Sequence, residues 1–447
     1  MKFGTAVRDI TPKEPVWLHG YSTRERKSEG ISEALEMACL ALADKDKTVL
    51  IFTFDLIGIR YQDCRKIYET LENAVGIGFP DIMLSCSHTH FAPALHPYDS
   101  AFASVGFPEP EESFVEDFYI KIVEAAKESL RNLRDGVLET ARIKVPQLLF
   151  NRRTIRNDGQ LKNNYIYPEN PGDYNFGKVD DELTVLRFKD NYGNIGAVLA
   201  NFGCHPVTGG EEREVAHYRV SSDYPHYLRK KISATCKCPA FFTLGGAGDA
   251  VPLRRYGKSR ERIGGILGES ILHSEPLFVR DPGSGLLTAS VEHRASVMTK
   301  FEPATAKKEY EEARRASLAK PVAGGADSRK NAELLMTDPY VLKATAYERV
   351  QAYPDNCFDI PLQFIKIGKT VLVSWPFEIA SELTTKLKIE YPNCVPVSCC
   401  GGYQGYLFPT HEFRKGGYEV SFMTCHFEKT TAEALLGKSL DWLNKYC

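Results

Sequence analysis

The chain has 447 residues and a nearly balanced charge, with 56 basic and 58 acidic side chains. Its 43% of hydrophobic and 26% of charged residues are typical of a soluble globular protein. A net charge of −2 gives no basis for nucleic-acid binding, and no apolar run approaches the roughly 20 residues of a membrane helix. We therefore predict a small-molecule partner, no nucleic acid and no membrane insertion; the oligomeric state stays open.

The N-terminus lacks the long apolar segment of a signal peptide, which predicts a cytoplasmic protein. Its 12 cysteines contain no Cys-x-x-Cys pair, so we expect reduced, mostly buried thiols. Cys204 precedes His205, but neighbouring strand residues point to opposite faces, which disfavours a thiol–imidazole pair.

The N-terminal part is predicted to alternate strands and helices. The first 60 residues are predicted as strands, with residues 35–43 and 47–54 forming a hairpin. An apolar strand at 81–86 follows a first helix and precedes a second one. The two helices show core-facing spacing at Cys64, Ile67, Tyr68 and Leu71, and at Val115, Phe118, Tyr119, Ile122 and Ala126.

The middle of the chain begins with a polar stretch, 151–175, which predicts a long loop over a site. Residues 185–188 and 195–202 predict a strand pair, and residues 224–232 a helix. The strand at 239–244 runs into a glycine loop, 245–249.

The C-terminal part is predicted to contain a strand at 286–297 and a mainly helical insertion near 301–353, broken at 321–325 and at Pro339. Residues 358–365 and 370–374 predict a hairpin, with Pro361 placing the first strand at a sheet edge. A strand at 395–399, a loop rich in Gly and Tyr, and a helix at 430–446 follow. The predicted fold class is α/β, with mixed β-sheets flanked by helices.

Polar residues recur where the predicted strands end. They are Asp55, His88, His205, Asp249 and Glu378. In α/β folds, sites gather at the carboxyl ends of strands, so these residues predict one shared pocket.

The segment Ser87-His88-Thr89-His90 closes the strand at 81–86. In extended chain, residues two apart share a face, so both imidazoles would project together. Such a pair suits a metal or a proton-transfer site, and equally one structural and one exposed histidine.

Three further features leave two interpretations each. Glu378 is predicted to open a helix, where a carboxylate favours the helix dipole, but two histidines and a glutamate also form a catalytic zinc set. Tyr403, Tyr406 and Tyr418 are either packing residues or metal ligands and oxyanion donors. The glycine loop lacks the Gly-Lys-Ser/Thr ending of a phosphate loop, which favours tight turning or close approach to a ligand.

Several short motifs, in this order, resemble the catalytic domain of the neutral/alkaline non-lysosomal ceramidase family. They are Ala6-Val7-Arg8-Asp9-Ile10-Thr11, Gly20-Tyr21-Ser22, Phe54-Asp55-Leu56, Ser87-His88-Thr89-His90-x-x-Pro93, Asn151-Arg152, His205-Pro206, Ser221-Ser222-Asp223, Gly248-Asp249-x-x-Pro252, Phe377-Glu378 and Tyr406 with Tyr418-Glu419. The resemblance implies a single catalytic domain over 1–447, without the C-terminal β-sandwich of longer members.

The resemblance also implies a site. Zinc would be held by His88, His205, Glu378 and Tyr406. The implied catalytic residues around the scissile bond are His90, Arg152, Tyr418 and Asp249. The implied activity is zinc-dependent hydrolysis of an amide or ester bond, a linear amide being preferred, by metal-activated water.

One position departs from the family pattern. Family members carry a serine implicated in catalysis two residues after the aspartate of the glycine loop, and this chain has Val251 there. Valine has no hydroxyl, so we expect a small, polar substrate rather than ceramide. The alternatives are a binuclear metallophosphoesterase, whose Gly-His-x-His motif Ser87-His88-Thr89-His90 partly matches, and a non-catalytic ligand-binding relative.

Overall fold

The computed structural model describes residues 1–209, 217–281, 283, 285–319 and 335–447. Eight α-helices lie in these ranges: α1 (Tyr61–Val75), α2 (Glu112–Arg131), α3 (Tyr224–Cys236), α4 (Ser259–Leu272), α5 (Pro303–Leu318), α6 (Pro339–Ala352), α7 (Ser381–Glu390) and α8 (Thr431–Tyr446).

The same ranges contain 20 strands: β1 (Lys2–Asp9), β2 (Glu36–Asp44), β3 (Lys47–Phe54), β4 (Ile82–Cys86), β5 (Arg134–Lys144), β6 (Leu149–Asn151), β7 (Arg153–Arg156), β8 (Leu161–Asn163), β9 (Tyr174–Asn175), β10 (Glu182–Asp190), β11 (Ile195–Phe202), β12 (Ala240–Leu244), β13 (Ala250–Pro252), β14 (Val279–Arg280), β15 (Leu286–Ser296), β16 (Cys357–Ile367), β17 (Thr370–Ser374), β18 (Glu378–Ile379), β19 (Cys394–Val397) and β20 (Tyr406–Leu407). Short 3₁₀ helices are Pro171–Asp173, Glu275–Leu277, Thr410–Arg414 and Tyr418–Val420.

Two mixed sheets form the centre of the fold. The larger has the order β12-β11-β10-β5-β1-β2-β3-β4, with β14 paired to β5, and the smaller has the order β15-β16-β17-β19. Pairing is parallel at β3–β4, β11–β12 and β17–β19 and antiparallel elsewhere in these sheets. The predicted α/β class with mixed sheets flanked by helices is confirmed.

The two sheets pack face to face. Phe3, Leu40 and Ile51 of the large sheet share one buried cluster with Ile365 and Leu372 of the small sheet. Helices α1 to α4 cover the outer face of the large sheet, and α7 and α8 cover that of the small sheet. Each fully buried large apolar side chain stabilises this arrangement by about 1.5–3 kcal/mol.

Most predicted elements with an apolar periodicity are confirmed. The hairpin of β2 and β3, the pair of β10 and β11, and the hairpin of β16 and β17 form as expected. Helix α1 buries the four residues that the spacing selected, Cys64, Ile67, Tyr68 and Leu71. All 12 cysteines are unpaired, as expected for reduced thiols.

Three predictions are wrong in part. Residues 10–30 form no strand, although the first 60 residues were expected to be strands throughout. The stretch 151–175 includes β7, β8 and β9, which pair as a small antiparallel sheet, instead of a long loop. Strand β16 lies between β15 and β17 rather than at an edge; β17 pairs only from Gln363 onward, so Pro361 lies beyond its end.

The predicted helical insertion near 301–353 corresponds to α5 and α6, which pack on each other. Asp338 caps α6 by accepting hydrogen bonds from the backbone N–H groups of Tyr340 and Val341. The predicted break at 321–325 lies outside the described residues. In the described ranges, no helix combines the length and the apolar character that crossing a bilayer requires.

Candidate metal centre and cleft

His88 lies just beyond the end of β4, where the backbone leaves the extended conformation. Its φ is 67°, in the left-handed region, and its N–H donates to the carbonyl of Leu56 at 2.9 Å. The argument from strand alternation is therefore wrong for His88 and His90. Their rings still approach each other, with centroids 5.0 Å apart, because the turn folds both toward one point.

His205 joins these two histidines from the end of β11. Its backbone N–H donates to the carbonyl of Ala250 at 3.0 Å, which attaches the segment to β13. One ring nitrogen from each of His88, His90 and His205 lies within 4.8 Å of the others. We call these three residues the histidine cluster; the first and third are predicted ligands, and His90 is a predicted catalytic residue.

Backbone carbonyls fix the tautomers of two cluster members. Nδ1 of His88 donates to the carbonyl of Ile57 at 2.7 Å, and Nδ1 of His205 donates to that of Ala247. In a neutral imidazole the other nitrogen, Nε2, then carries the lone pair. This anchoring is the arrangement that orients histidines toward a metal.

Glu378 brings a carboxylate to the same point. It lies on β18, which pairs in parallel with β20, and α7 begins only at Ser381, so the prediction that Glu378 opens a helix is wrong. Its Oε2 lies 3.2 Å from Nε2 of His88 and 2.8 Å from Nε2 of His205. A Cβ atom on Gly248 would come within 2.8 Å of the Glu378 carbonyl oxygen, so only glycine fits there.

Two tyrosines complete this side of the site: Tyr403 lies in the loop before β20, and Tyr406 is the first residue of β20. The hydroxyl of Tyr403 donates to Oε1 of Glu378 at 2.6 Å. The hydroxyl oxygen of Tyr406 accepts from the Arg152 guanidinium at 3.0 Å. Tyr403 therefore orients the carboxylate, and Tyr406 lies between Arg152 and Glu378. Burial and the negative charge of Glu378 raise the pKa of the Tyr406 phenol.

Arg152 is held by a buried ionic network. Its Nε donates to Glu419 at 2.7 Å, and Glu419 also accepts from Arg153 at 2.6 Å and from Asn163 at 2.8 Å. The guanidinium lies 5.9 Å from the centre of the Tyr418 ring. Glu419, which is fully buried, thus positions Arg152 beside Tyr418.

The donor set fits a cation. Two imidazole lone pairs and a carboxylate oxygen converge, and Nε2 of His88 has no hydrogen-bond partner among the described residues. Burial lowers the pKa of His205 to about 4, so its imidazole is neutral at neutral pH. Because Nδ1 carries the ring proton, Nε2 has no proton to donate to Glu378. Three electron-pair donors without a hydrogen between them attract a metal ion.

His90 differs from its two neighbours. Burial, with the neighbouring His88 and His205, lowers its pKa well below the ordinary value, and both of its ring nitrogens lack partners among the described residues. An unpaired buried polar atom costs about 1–3 kcal/mol, which indicates a functional rather than a structural use.

The hydrogen bonds of Asp249 do not favour the predicted catalytic role. Its carboxylate accepts from Asn151 at 2.8 Å and from the backbone and hydroxyl of Ser381 at 2.9 and 2.7 Å. Its carbonyl accepts from the backbone N–H of Arg152 at 2.8 Å. The arrangement makes Asp249 a positioning residue. Val251 is buried with apolar neighbours and offers no hydroxyl.

A cleft of about 500 Å³ is lined by His88 and His90 of the histidine cluster, whereas the predicted site residues His205, Arg152 and Asp249 are not among its lining residues. At one end lie His88, His90, Glu378, Tyr403, Tyr406 and Tyr418. Its far wall includes one face of α6 and carries the charged residues Arg60, Asp99, Glu348 and Arg349. The helical insertion therefore lines the cleft.

Sequence reasoning missed several of these residues. The sequence assigns no role to Glu419, and for Tyr403 it predicts packing, metal binding or oxyanion donation but not a hydrogen bond to Glu378. Arg349 and Glu348 lay in a charged helix with no motif. Only the position of that helix in the fold brings them to the site.

Comparisons with known proteins bear on the family and the fold. Residues 1–223 match the family model described as neutral/alkaline non-lysosomal ceramidase, N-terminal. The structure of neutral ceramidase from Pseudomonas aeruginosa matches with a TM-score of 0.71 at 16% identity, covering 99% of this chain and 74% of that one. A structure of ceramidase complexed with C2 also gives a TM-score of 0.71 at 16% identity. A search of the curated proteins finds no match.

At this identity the structural likeness establishes the fold, and the match over 1–223 contains the motifs of His88, His90, Arg152 and His205. Together these findings place the chain in the neutral/alkaline non-lysosomal ceramidase family.

Proposed function

We propose that this chain is a zinc-dependent hydrolase that cleaves the amide bond of a small, polar substrate. The observation that carries the proposal is the convergence of Nε2 of His88, Nε2 of His205 and Oε2 of Glu378 without a hydrogen between them. Family membership supports hydrolysis, and the family's name indicates an amide bond.

The proposed ligands are His88, His205, Glu378 and Tyr406. Imidazole, carboxylate and phenol are nitrogen and oxygen donors that suit the borderline character of Zn²⁺. When bound, zinc would lower the pKa of a water ligand from 15.7 to about 7 and so supply the nucleophile at neutral pH.

The chain's own residues would then handle protons and charge. His90 is neutral and has two unpaired ring nitrogens, so it can accept a proton and return it to the leaving amine. The phenol of Tyr418 stays protonated, because burial raises its pKa, and it can donate to the oxyanion. Arg152, held by Glu419, adds a fixed positive charge.

The two alternatives have less support. A binuclear phosphoesterase needs ligands for two ions, and the described residues contain one cluster of three or more metal-ligating histidine, cysteine or acidic side chains. A non-catalytic relative would have no use for the anchored tautomers of His88 and His205, which the chain retains.

The first test is the metal content of protein purified without chelators. We expect about one zinc per chain, and we expect His88→Ala and His205→Ala each to lose it. His273→Ala is the matched control, because His273 is exposed, directly follows α4 and does not belong to the site. Elemental analysis decides: absence of any transition metal, or full zinc in either cluster variant, contradicts the proposal.

The second test is activity. Hydrolysis of short N-acyl amides should stop on chelation and return with Zn²⁺. The same purified protein should leave aryl phosphates intact. The cytoplasmic location belongs to the proposal as well, and fractionation of the source cells checks it.

A further inference from the structure

Arg349 is a buried cation on the far wall of the cleft. It lies on α6 with 4% of its surface exposed, and it lines the same cleft as His88 and His90. One guanidinium nitrogen, Nη2, donates to the carbonyl of Phe422. The other two, Nε and Nη1, find no acceptor among the described residues.

No carboxylate of the described residues contacts the Arg349 guanidinium directly. Its guanidinium lies 4.7 Å from the centre of the Phe422 ring, an attractive contact that does not replace an anionic partner. Burial lowers its pKa to about 10, so it remains charged at neutral pH. A buried charge without a partner is costly, and native proteins retain one where a ligand supplies the partner.

The acidic residues of the same wall are engaged elsewhere. Glu348 forms an ion pair with Arg60 at 3.3 Å. Burial and the nearby Asp99 raise the pKa of Glu348, and the charge of Arg60 opposes that shift. Asp99 lies near Arg60, and of these two carboxylates it is Glu348 whose charge acts on Arg349. Among the described residues, neither carboxylate accepts a hydrogen bond from the Arg349 guanidinium.

The neighbouring polar groups on this wall are neutral and paired with each other. Nδ1 of His426 donates to the hydroxyl of Tyr353 at 2.7 Å, and that hydroxyl donates to Gln404 at 2.6 Å. Neither can neutralise Arg349. The cleft is therefore lined by a cation that, among the described residues, no carboxylate contacts directly.

We propose that Arg349 binds a carboxylate on the substrate, so that the substrate class is an N-acyl compound bearing a carboxylate on the part that reaches α6. The inference rests on the proposed hydrolase function for the amide, and Arg349 sets specificity without touching the scissile bond. Charged donors on a guanidinium suit a carboxylate, which offers two acceptor oxygens.

The test uses two ligands with no bond to hydrolyse, so its result does not depend on catalysis. 4-Oxononanoate is the ketone analogue of N-hexanoylglycine, and 1-hydroxynonan-4-one replaces its carboxylate by an alcohol. Calorimetric titration of the full chain, as purified, should show about 10- to 100-fold tighter binding of the carboxylate.

Variants locate the preference. Arg349→Gln should bind both ligands equally, and Arg349→Lys should keep a reduced preference. Arg315→Gln, the same substitution at an arginine on the last turn of α5, should keep the wild-type preference. Thermal unfolding checks that each variant is folded.

Equal binding of both ligands by the wild type would overturn the proposal even if Arg349→Gln did not fold. Tighter binding of the alcohol would also overturn the proposal, because the negative charges of Asp99 and Glu348 would then outweigh the positive charge of Arg349. A preference that persists in folded Arg349→Gln would place the carboxylate elsewhere. If the wild type binds the carboxylate ligand more tightly but hydrolyses no amide, the proposed function is contradicted and the inference about Arg349 still holds.

Discussion

At the scale of single residues, Tyr418 and Arg152 have long side chains that must be held rigidly to act on a reacting bond. The Tyr418 ring lies 5.8 Å from the Tyr406 ring, and its backbone N–H donates to Asn163 at 3.2 Å. Asn163 also donates to Glu419, which holds Arg152. The buried carboxylate of Glu419 thus holds Arg152 directly and Tyr418 through Asn163.

We expect Tyr418→Phe to lower kcat about 100- to 1000-fold and to change KM much less. The phenol acts on charge that develops only in the transition state, so its loss does not weaken substrate binding in the ground state. Steady-state kinetics on a short N-acyl amide measure this. Tyr192→Phe, at a tyrosine 92% exposed, is the control and should keep wild-type values. A fully active Tyr418→Phe would remove the phenol from the mechanism.

The identities of the site residues could be predicted at this scale, but their orientation could not. His88, His205 and Glu378 stand out because each is a polar residue that follows an apolar run. The carbonyls that fix the two tautomers belong to Ile57 and Ala247, and a backbone carbonyl leaves no trace in sequence.

At the scale of elements, the loop around Gly20 supports His90 from the side away from β4. Gly20 has φ of 101°, and a Cβ atom there would come within 2.5 Å of Cγ of His90. Glycine is required twice over, by its backbone conformation and by the contact with the imidazole.

We expect Gly20→Ala to displace His90 and to reduce activity at least 10-fold while zinc remains bound, because His90 is not among the four proposed ligands. Gly159→Ala is a matched control: Gly159 has φ of 86° but open space around its Cβ position, so it tests backbone strain alone. Activity and elemental analysis are measured together. Loss of zinc in Gly20→Ala would make His90 a ligand.

Elements with an apolar period were predictable, and the short polar strands were not. Strands β7, β8 and β9 are two to four residues long and rich in Asn, Arg and Lys, so no alternation marks them. They form because Arg153 and Asn163, paired across β7 and β8, also bind Glu419 from another part of the chain. Contacts between distant segments, rather than local propensity, set this structure.

At the scale of the whole molecule, buried neutral histidines tie stability to pH. Burial lowers the pKa of His19 to about 3 and that of His96 and His426 well below the ordinary value. In the unfolded chain these residues titrate near 6.5. Below that pH the unfolded chain binds protons that the folded chain does not, so the free energy of unfolding decreases as pH falls from about 6.5 toward 3.

We expect the free energy of unfolding to be smaller at pH 5.0 than at pH 7.5 by about 2 kcal/mol for each such histidine. Urea unfolding at the two pH values measures this difference. His19→Gln should reduce it by about one histidine's share, and His273→Gln, at an exposed position, should leave it unchanged. A wild-type difference near zero would show that the buried imidazoles do not control stability.

The charged residues that line the cleft support the proposal of a small, polar substrate. Its volume is about 500 Å³, and its far wall carries Arg60, Asp99, Glu348 and Arg349. A long acyl chain gains about 0.8 kcal/mol for each CH₂ buried against apolar surface, but against charges it must displace their hydration instead. In addition, Val251 is buried among apolar side chains and offers no hydroxyl at the position where the family resemblance implies a serine.

We therefore expect kcat/KM for long-chain ceramide, presented in detergent micelles, to be at least about 10-fold lower than for N-hexanoylglycine. N-hexanoylethanolamine separates the two causes, because it shares the short acyl chain and lacks the carboxylate. A slow reaction with ceramide alone would point to chain length, and slow reactions with both to the missing carboxylate. A neutral ceramidase assayed on the same micelles controls for substrate presentation. Ceramide cleavage as efficient as that of N-hexanoylglycine would mean that the charged wall does not govern access, and the polar-substrate proposal would be wrong.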